Sequence, residues 1–336
     1  MADFSEYRDI FVLIETENGQ PKDVGFELLN AARPIADRKG CRLNAVVVGN
    51  RAENAARDAI SYGADAAYLI EGPEFETYAT DAFARALIAF AETYKPETLM
   101  IGATPNGRDM APRVSCHLRT GLTADCTGIS VDEATGLIAW TRPTFGGNLM
   151  ATIFCPDSRP QMGTVRPGVF RKGTYDPART GEIIRTSISV PEDEIRTRVI
   201  ERVRDATERM RLEDAEIIVA GGRGVGSKEN FALIYELADV LGASVGCSRP
   251  VAEMGWMTAE RQVGQSGRTV SPRVYFAIGI SGAIQHIAGI AGAETVIAVN
   301  SDPDAPIFGA ANYGIVGNLN EVVPQLIEEF KKSRAG

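Results

Sequence analysis

Residue types suited to chemistry gather in the second half of this 336-residue chain, in short clusters of glycines, hydroxyls, amides and single cations. The apolar run Ala215–Ala220 leads into Gly221-Gly-Arg-Gly-Val-Gly-Ser-Lys-Glu-Asn230, and a helical periodicity follows from Phe231 to Leu241. Glycines admit positive φ and close backbone approach, so successive N–H groups in such a turn can converge on an anion near a helix start. The spacing of Gly222, Gly224 and Gly226 is not the G-x-G-x-x-G of a dinucleotide fingerprint, and Lys228 does not complete a Walker A loop. A tight βα turn carrying a solvated Arg223 accounts for the same residues without a ligand.

Four more clusters lie downstream. Gly246-Cys-Ser248-Arg249-Pro250 is the second. The third, Gln262-Val263-Gly264-Gln265-Ser266-Gly-Arg-Thr269, packs amides, hydroxyls, a cation and two glycines into eight residues, which makes poor core and good hydrogen-bonding surface. The fourth, Gly279-Ile-Ser281-Gly282-Ala283-Ile284-Gln285-His286, comes after a buried strand and opens a helix. Ser281 is expected to cap that helix, with the next amides facing a phosphate. His286 falls in its first turns, where a lone histidine is ordinarily a satisfied core residue. In the fifth, the strand Val296–Asn300 runs into turn formers; Asn300 suits a heterocycle or ribose edge and equally well initiates a turn. His117, His286 and the five cysteines have no partners at spacings that would make a nucleophile or a metal site. Asp302 and Asp304 read as turn carboxylates. The clusters are built to bind and orient, which fits a cofactor that carries its own chemistry.

Such clusters must be positioned by strands, because ligands of open parallel sheets sit at the carboxyl ends. Apolar runs at Ile10–Ile14, Leu43–Val48, Ala67–Ile70 and Thr98–Ile101 alternate with amphipathic stretches around Phe26–Ala36, from about Glu53, and through Phe83–Tyr94. The expected class is α/β, with two domains each built on a mainly parallel sheet flanked by helices, the second doubly wound. The division expected is 1–204 and 205–336. Between Thr120 and Pro167 short alternating stretches read as added strands or hairpins. Gly49-Asn50 and Gly102–Arg108 read as ordinary turns with a structural or docking role, and the charged stretch Pro191–Asp214 as a linker followed by or containing a short helix.

Composition narrows the class further. A net charge of −9 disfavours a phosphate backbone, so no nucleic acid is expected as partner. An odd number of scattered cysteines without a C-x-x-C pair points to a reducing cytoplasm. Val274–Ala293 is 20 residues without a formal charge, but Gly279, Ser281, Gly282, Gln285 and His286 in its middle make it a strand, a loop and a helix start. The first eight residues lack the basic start and apolar stretch of a secretory signal, and no stable membrane insertion is expected.

Over nearly its whole length the sequence resembles the alpha subunit of electron-transferring flavoproteins. The resemblance rests on Gly221–Gly224, Gly246–Pro250, Gln262–Thr269, Ile278–His286, Ala298–Phe308 and Tyr313–Gly317, and in the first half on Thr120–Cys126, Arg142–Asn148, Arg159–Gly163 and Arg166–Gly168. It implies an FAD in the second domain and an obligate beta subunit, held by the first domain and carrying AMP or a second FAD. It also implies electron shuttling between an acyl-CoA dehydrogenase or another flavin dehydrogenase and an acceptor. By motif position, Arg223, Ser248, Arg249, Gln262, Val263, Gly264, Gln265, Ser266, Ser281, Gly282, Ala283, Ile284, Gln285, His286, Asn300, Asn318 and Leu319 would line the FAD. Of these, Arg249 and Ser266 would lie at the flavin ring and His286 at its pyrimidine edge. Ser266 stands where many relatives have Thr, and Asn318 where many have Asp. Thr120–Cys126 and Arg142–Asn148 resemble anaerobe-type members that bifurcate electrons from NADH. The competing reading is a non-redox adenine-nucleotide sensor or scaffold protein. A nicotinamide-dependent dehydrogenase is disfavoured by the missing fingerprint.

Overall fold

The structure, a computed structural model, describes residues 3–144, 149–197, 199–200, 212 and 215–335. The chain forms two compact units, Met1–Val203 and Arg204–Gly336.

The first unit contains strands β1 (Arg8–Glu17), β2 (Gln20–Pro21), β3 (Leu43–Gly49), β4 (Ala66–Glu71), β5 (Pro96–Gly102), β6 (Leu122–Cys126), β7 (Gly128–Val131), β8 (Ile138–Thr144), β9 (Leu149–Ile153), β10 (Gln161–Val165) and β11 (Glu182–Arg185). Its helices are α1 (Asp23–Lys39), α2 (Glu53–Ser61), α3 (Thr80–Tyr94) and α4 (Pro105–His117). The main sheet runs β11-β4-β3-β1-β5-β10-β6 and is parallel throughout, with β2 added antiparallel to β1. Continuous apolar runs such as Ile10–Ile14 suit its centre, because helices cover both faces. One layer packs Phe26, Leu29 and Ala32 of α1 against Ile10, Val12 and Val47. The other packs Phe83, Leu87 and Phe90 of α3 against Phe11, Leu13 and Val46.

The added strands expected between Thr120 and Pro167 are present: β7, β8 and β9 make a separate antiparallel sheet, while β6 and β10 pair in parallel inside the main one. Their partners are distant in sequence, so local alternation does not reveal them. Gly102–Arg108 is more than a turn, since Thr104 caps α4 by accepting from the Gly107 N–H at 3.0 Å and Pro105 opens its first turn. Pro105, Gly107 and Pro112 mask the helical pattern there. Of the charged stretch 191–214, a 3₁₀ turn at Glu192–Glu194 is seen; 198, 201–211, 213 and 214 lie outside the described residues, as do 145–148.

The second unit holds β12 (Ile217–Gly221), β13 (Ser244–Cys247), β14 (Val274–Ile278), β15 (Thr295–Asn300) and β16 (Tyr313–Val316), with helices α5 (Phe231–Leu241), α6 (Arg249–Glu253), α7 (Ile284–Ile287) and α8 (Leu319–Ala335). All five strands are parallel, in the order β13-β12-β14-β15-β16. Strand alternation divides the core: Val219, Phe276, Ile278 and Val299 meet Ile234, Leu237 and Val323 of α5 and α8. Ile218, Ala220, Tyr275, Ala277 and Ala298 meet Val263, Ile290 and Ile307 on the other face. The uncharged run 274–293 is β14, a loop and the short α7. Among the described residues no helix is long and apolar enough to cross a membrane.

Candidate functional site

In the second sheet the chain steps from β12 outward to β13 and then back across to β14, so the order reverses between β12 and β14. The loops leaving the carboxyl ends of these strands diverge there, which is where parallel α/β sheets take ligands. The loop after β12 is laid against the one after β14: the Gly222 N–H donates to the Ile278 carbonyl at 2.8 Å and the Gly224 N–H to the Gly279 carbonyl at 3.0 Å. A Cβ on Gly222 would collide with the Gly279 carbonyl oxygen, so the glycine is needed for this approach. Arg223 projects exposed from a 3₁₀ turn at the tip.

At the end of β13, the Ser248 N–H donates to the Gly221 carbonyl at 3.1 Å, and Ser248 is the buried N-cap of α6. Arg249 comes next, in the first turn, 65% exposed, its Nε 2.7 Å from Glu253 Oε1 one turn on. The Gln262–Ser266 loop is stitched across this end of the sheet. The Val263 N–H donates to the Cys247 carbonyl at 2.8 Å and the Gln265 N–H to the Gln285 carbonyl at 2.7 Å. Gln262 Nε2 donates to Ser266 Oγ at 3.0 Å. Val263 and Gly264 are buried, while Gln265 and Ser266 are exposed.

After β14 the expected Ser281 cap is corrected. The N-cap of α7 is Ala283, which has no side-chain acceptor, and α7 has only four residues. Gly282 at φ +88° turns the chain between Ser281 and the helix, and the Ser281 carbonyl instead accepts from the Ile307 N–H at 3.0 Å. The Ser281 side chain is left exposed beside Ala283, Ile284 and Gln285. His286 turns inward, 6% exposed, with Nε2 3.0 Å from the Tyr275 hydroxyl and Nδ1 without a partner. Burial pushes its pKa down to about 4, against an opposing pull from the Val263 backbone, so the ring is neutral at ordinary pH.

Asn300 donates from Nδ2 to the Ile280 carbonyl at 3.0 Å and accepts the Asp302 N–H at Oδ1, while its own carbonyl accepts from the Gly317 N–H. It thereby ties the ends of β14, β15 and β16 together. Asn318 accepts the Asn320 N–H at the start of α8, and Leu319 is buried. The fold therefore brings all the clusters to one edge. Arg223, Arg249, Gln265, Ser266, Ser281 and Gln285 present polar side chains outward, whereas Val263, Gly264, Gly282 and Leu319 are buried and frame them. Tyr275 was not singled out in the sequence, because an inward position of a strand leaves no local sign of the histidine it meets.

The chemistry open to this edge is binding and polarisation. Burial pushes the Cys247 thiol, and Cys126 in the first unit, up to about 12, so neither is a nucleophile at neutral pH. Among the described residues no cluster of three His, Cys, Asp or Glu side chains could hold a metal. What remains is two exposed guanidinium groups, a row of amides and hydroxyls, and a neutral imidazole with one unsatisfied buried nitrogen. That donor set suits a long ligand with anionic and heteroaromatic parts.

A doubly wound parallel unit that gathers glycine loops and such groups at its carboxyl edge defines a nucleotide-cofactor-binding class of protein. Residues 10–191 match the family described as Electron transfer flavoprotein domain, and residues 211–291 the Electron transfer flavoprotein FAD-binding domain. The electron transfer flavoprotein subunit alpha of Thermoanaerobacterium thermosaccharolyticum is 50% identical, aligned over 98% of this chain and 99% of that one. Its counterpart in Megasphaera elsdenii is 46% identical, over 99% of both. The acryloyl-CoA reductase electron transfer subunit beta of Anaerotignum propionicum is 41% identical, over 99% of this chain and 98% of that one. The chain belongs to the electron transfer flavoprotein family, as one of its alpha subunits.

Proposed function

We propose that the second unit binds FAD along the carboxyl edge of its sheet, and that the chain works with a beta subunit to pass electrons between a flavin dehydrogenase and an acceptor. The observation that carries this reading is the convergence of Arg223, Arg249, the Gln262–Ser266 loop, Ser281–His286, Asn300 and Asn318 on one edge, most of them inside the segment matching an FAD-binding domain. When bound, FAD supplies a ring that takes up and releases electrons.

The protein's part is to hold and bias that ring. Arg223 would meet anionic parts of the cofactor, because the Gly222 and Gly224 N–H groups are spent on the neighbouring loop. Arg249 would place a positive charge where negative charge builds up on reduction, and Ser266 would offer a hydroxyl beside it. His286 is fixed by Tyr275 at Nε2, with its ring buried beneath the edge. Being neutral, it orients without adding charge.

The first unit would contact the beta subunit, which would carry AMP or a second FAD. The name of the Anaerotignum propionicum relative, an electron transfer subunit of an acryloyl-CoA reductase, supports an acyl-CoA-linked dehydrogenase as the electron partner. The five cysteines are free thiols, consistent with work in a reducing cytoplasm. Co-expression with the beta subunit, followed by extraction and counting of nucleotides per heterodimer, tests the reading. One FAD with AMP fits a simple carrier, and two FADs fit bifurcation from NADH. A colourless complex holding only adenine nucleotide would replace it with the non-redox sensor.

A further inference from the structure

The stretch from Ile188 to Arg196 of the first unit is fastened to α3 by two ion pairs, Arg196 with Asp81 and Glu194 with Arg85. After β11 the chain runs back over the sheet's helical layer, where Ile188, Val190 and Ile195 pack against the core containing Phe83, Leu87 and Phe90. The Val190 N–H donates to Glu74 Oε1 at 3.3 Å, and Glu194 pairs with Arg85 on α3. The strap ends at Arg196, which gives three donors to Asp81 in the first turn of α3: its backbone N–H to Oδ2 at 3.2 Å, Nε to Oδ2 at 3.4 Å and Nη2 to Oδ1 at 3.1 Å. Arg113 of α4 donates to Oδ1 from the other side.

Asp81 is only 6% exposed, covered by the two guanidinium groups and not by depth in the core, for Arg113 and Arg196 are themselves 48% and 70% exposed. The arginines hold its pKa down to about 2, so it is charged across the physiological range. A carboxylate that collects four donors from two elements fixes geometry; the first turn of α3 needs no such arrangement to form.

We propose that Asp81 is a latch that holds the end of the 188–196 strap closed on α3 and α4. Held there, the strap stays closed over α3 as far as Arg196; without the latch its end rests on Ile195 and on the exposed Glu194–Arg85 pair. Asp81 is thus a positioning residue for the strap, which it holds through Arg196. The latch stands on its own contacts and does not depend on which cofactor the second unit holds.

Hydrogen exchange measured by mass spectrometry on the full chain in complex with its beta subunit tests it, comparing wild type with Asp81→Asn and Arg196→Gln. The expected result is a rise of at least tenfold in exchange for peptides covering 188–197 in both variants. Peptides from β1, β3 and α1 keep their protection. Trypsin cleavage after Arg196 accelerates in Asp81→Asn to a similar extent. Unchanged exchange in 188–197 in Arg196→Gln overturns the proposal. So does loss of protection spread evenly over the first unit in that variant, which would make the pair a general support of the fold. Arg196→Gln carries the test alone if Asp81→Asn does not fold.

Discussion

His286 Nε2 lies 3.0 Å from the hydroxyl of Tyr275, and both rings are buried in the second unit. Tyr275 points inward from the second position of β14, while His286 enters from α7, so the pair fastens the short helix to the sheet beneath it. The contact engages Nε2 inside the protein, and Nδ1 is buried as well.

The pair makes the stability of the second unit pH-dependent. The pKa of His286 is lowered to about 4 by burial, so between the ordinary 6.5 and 4 the unfolded chain takes up a proton that the folded chain refuses. The stabilisation is complete above 6.5 and is lost as pH falls through 4, by up to roughly 3 kcal/mol for a shift of this size. His286→Gln should flatten that part of the profile. Thermal unfolding of both proteins between pH 4 and 8 checks it; parallel curves would refute the assignment.

Arg249 leads to a redox prediction. A guanidinium about 4 Å from a charge at an effective dielectric near 20 is worth ~4 kcal/mol, an upper bound that 65% exposure and the Glu253 pairing reduce. Arg249→Ala should lower the flavin midpoint potential by on the order of 60 mV, a tenfold change on the one-electron scale. Spectroelectrochemical titration of the heterodimer reads this directly. An unmoved potential would place Arg249 away from the ring.

Much of this arrangement is legible in the sequence alone, and the reason is periodicity. The runs Ile10–Ile14, Leu43–Val48 and Val296–Asn300 lie within strands, and the helical pattern Phe231–Leu241 matches α5 to the residue, because each is long enough to show its repeat. The glycine and polar clusters are visible as poor core material, and parallel strands carry the loops at their carboxyl ends to one edge. Pairing is hidden. Nothing local in Gln161–Val165 says that it lies between β5 and β6, and nothing in Tyr275 names His286. The Ser281 cap fails for a different reason: the positive φ of Gly282 is set by its contact with the Ile307 segment, a tertiary constraint that capping statistics do not contain.

The seam between the two sheets of the first unit is sterically tight at one place. A Cβ on Gly163 of β10 would overlap the six-membered ring of Trp140 on β8, a fully buried side chain. The ring is rigid and has no room to move, so Gly163→Ala should destabilise the first unit by about 2–3 kcal/mol. Adding Trp140→Leu to the same chain should recover part of that loss, because a smaller side chain can make room. Urea unfolding of the single and double variants measures both, and additive losses would show that the two residues do not compete for space.

Glu27 gives the opposite pH signature to His286, and in the other unit. Its carboxylate on α1 accepts the Gly168 N–H at 2.8 Å, with Asp23 adding like charge and Lys172 opposing it. Burial dominates and pushes the pKa from 4.5 to about 7. Between those values the folded chain keeps a proton that the unfolded chain has released. The contribution is therefore fully present below 4.5 and is lost as pH rises through 7, by roughly 3 kcal/mol at most. Glu27→Gln keeps a carbonyl for Gly168 and carries no charge, so it should match wild type near pH 4.5 and exceed it at pH 8. Unfolding free energies at those two values decide the point, and a variant no more stable than wild type at pH 8 would mean that the carboxylate is ionised without cost.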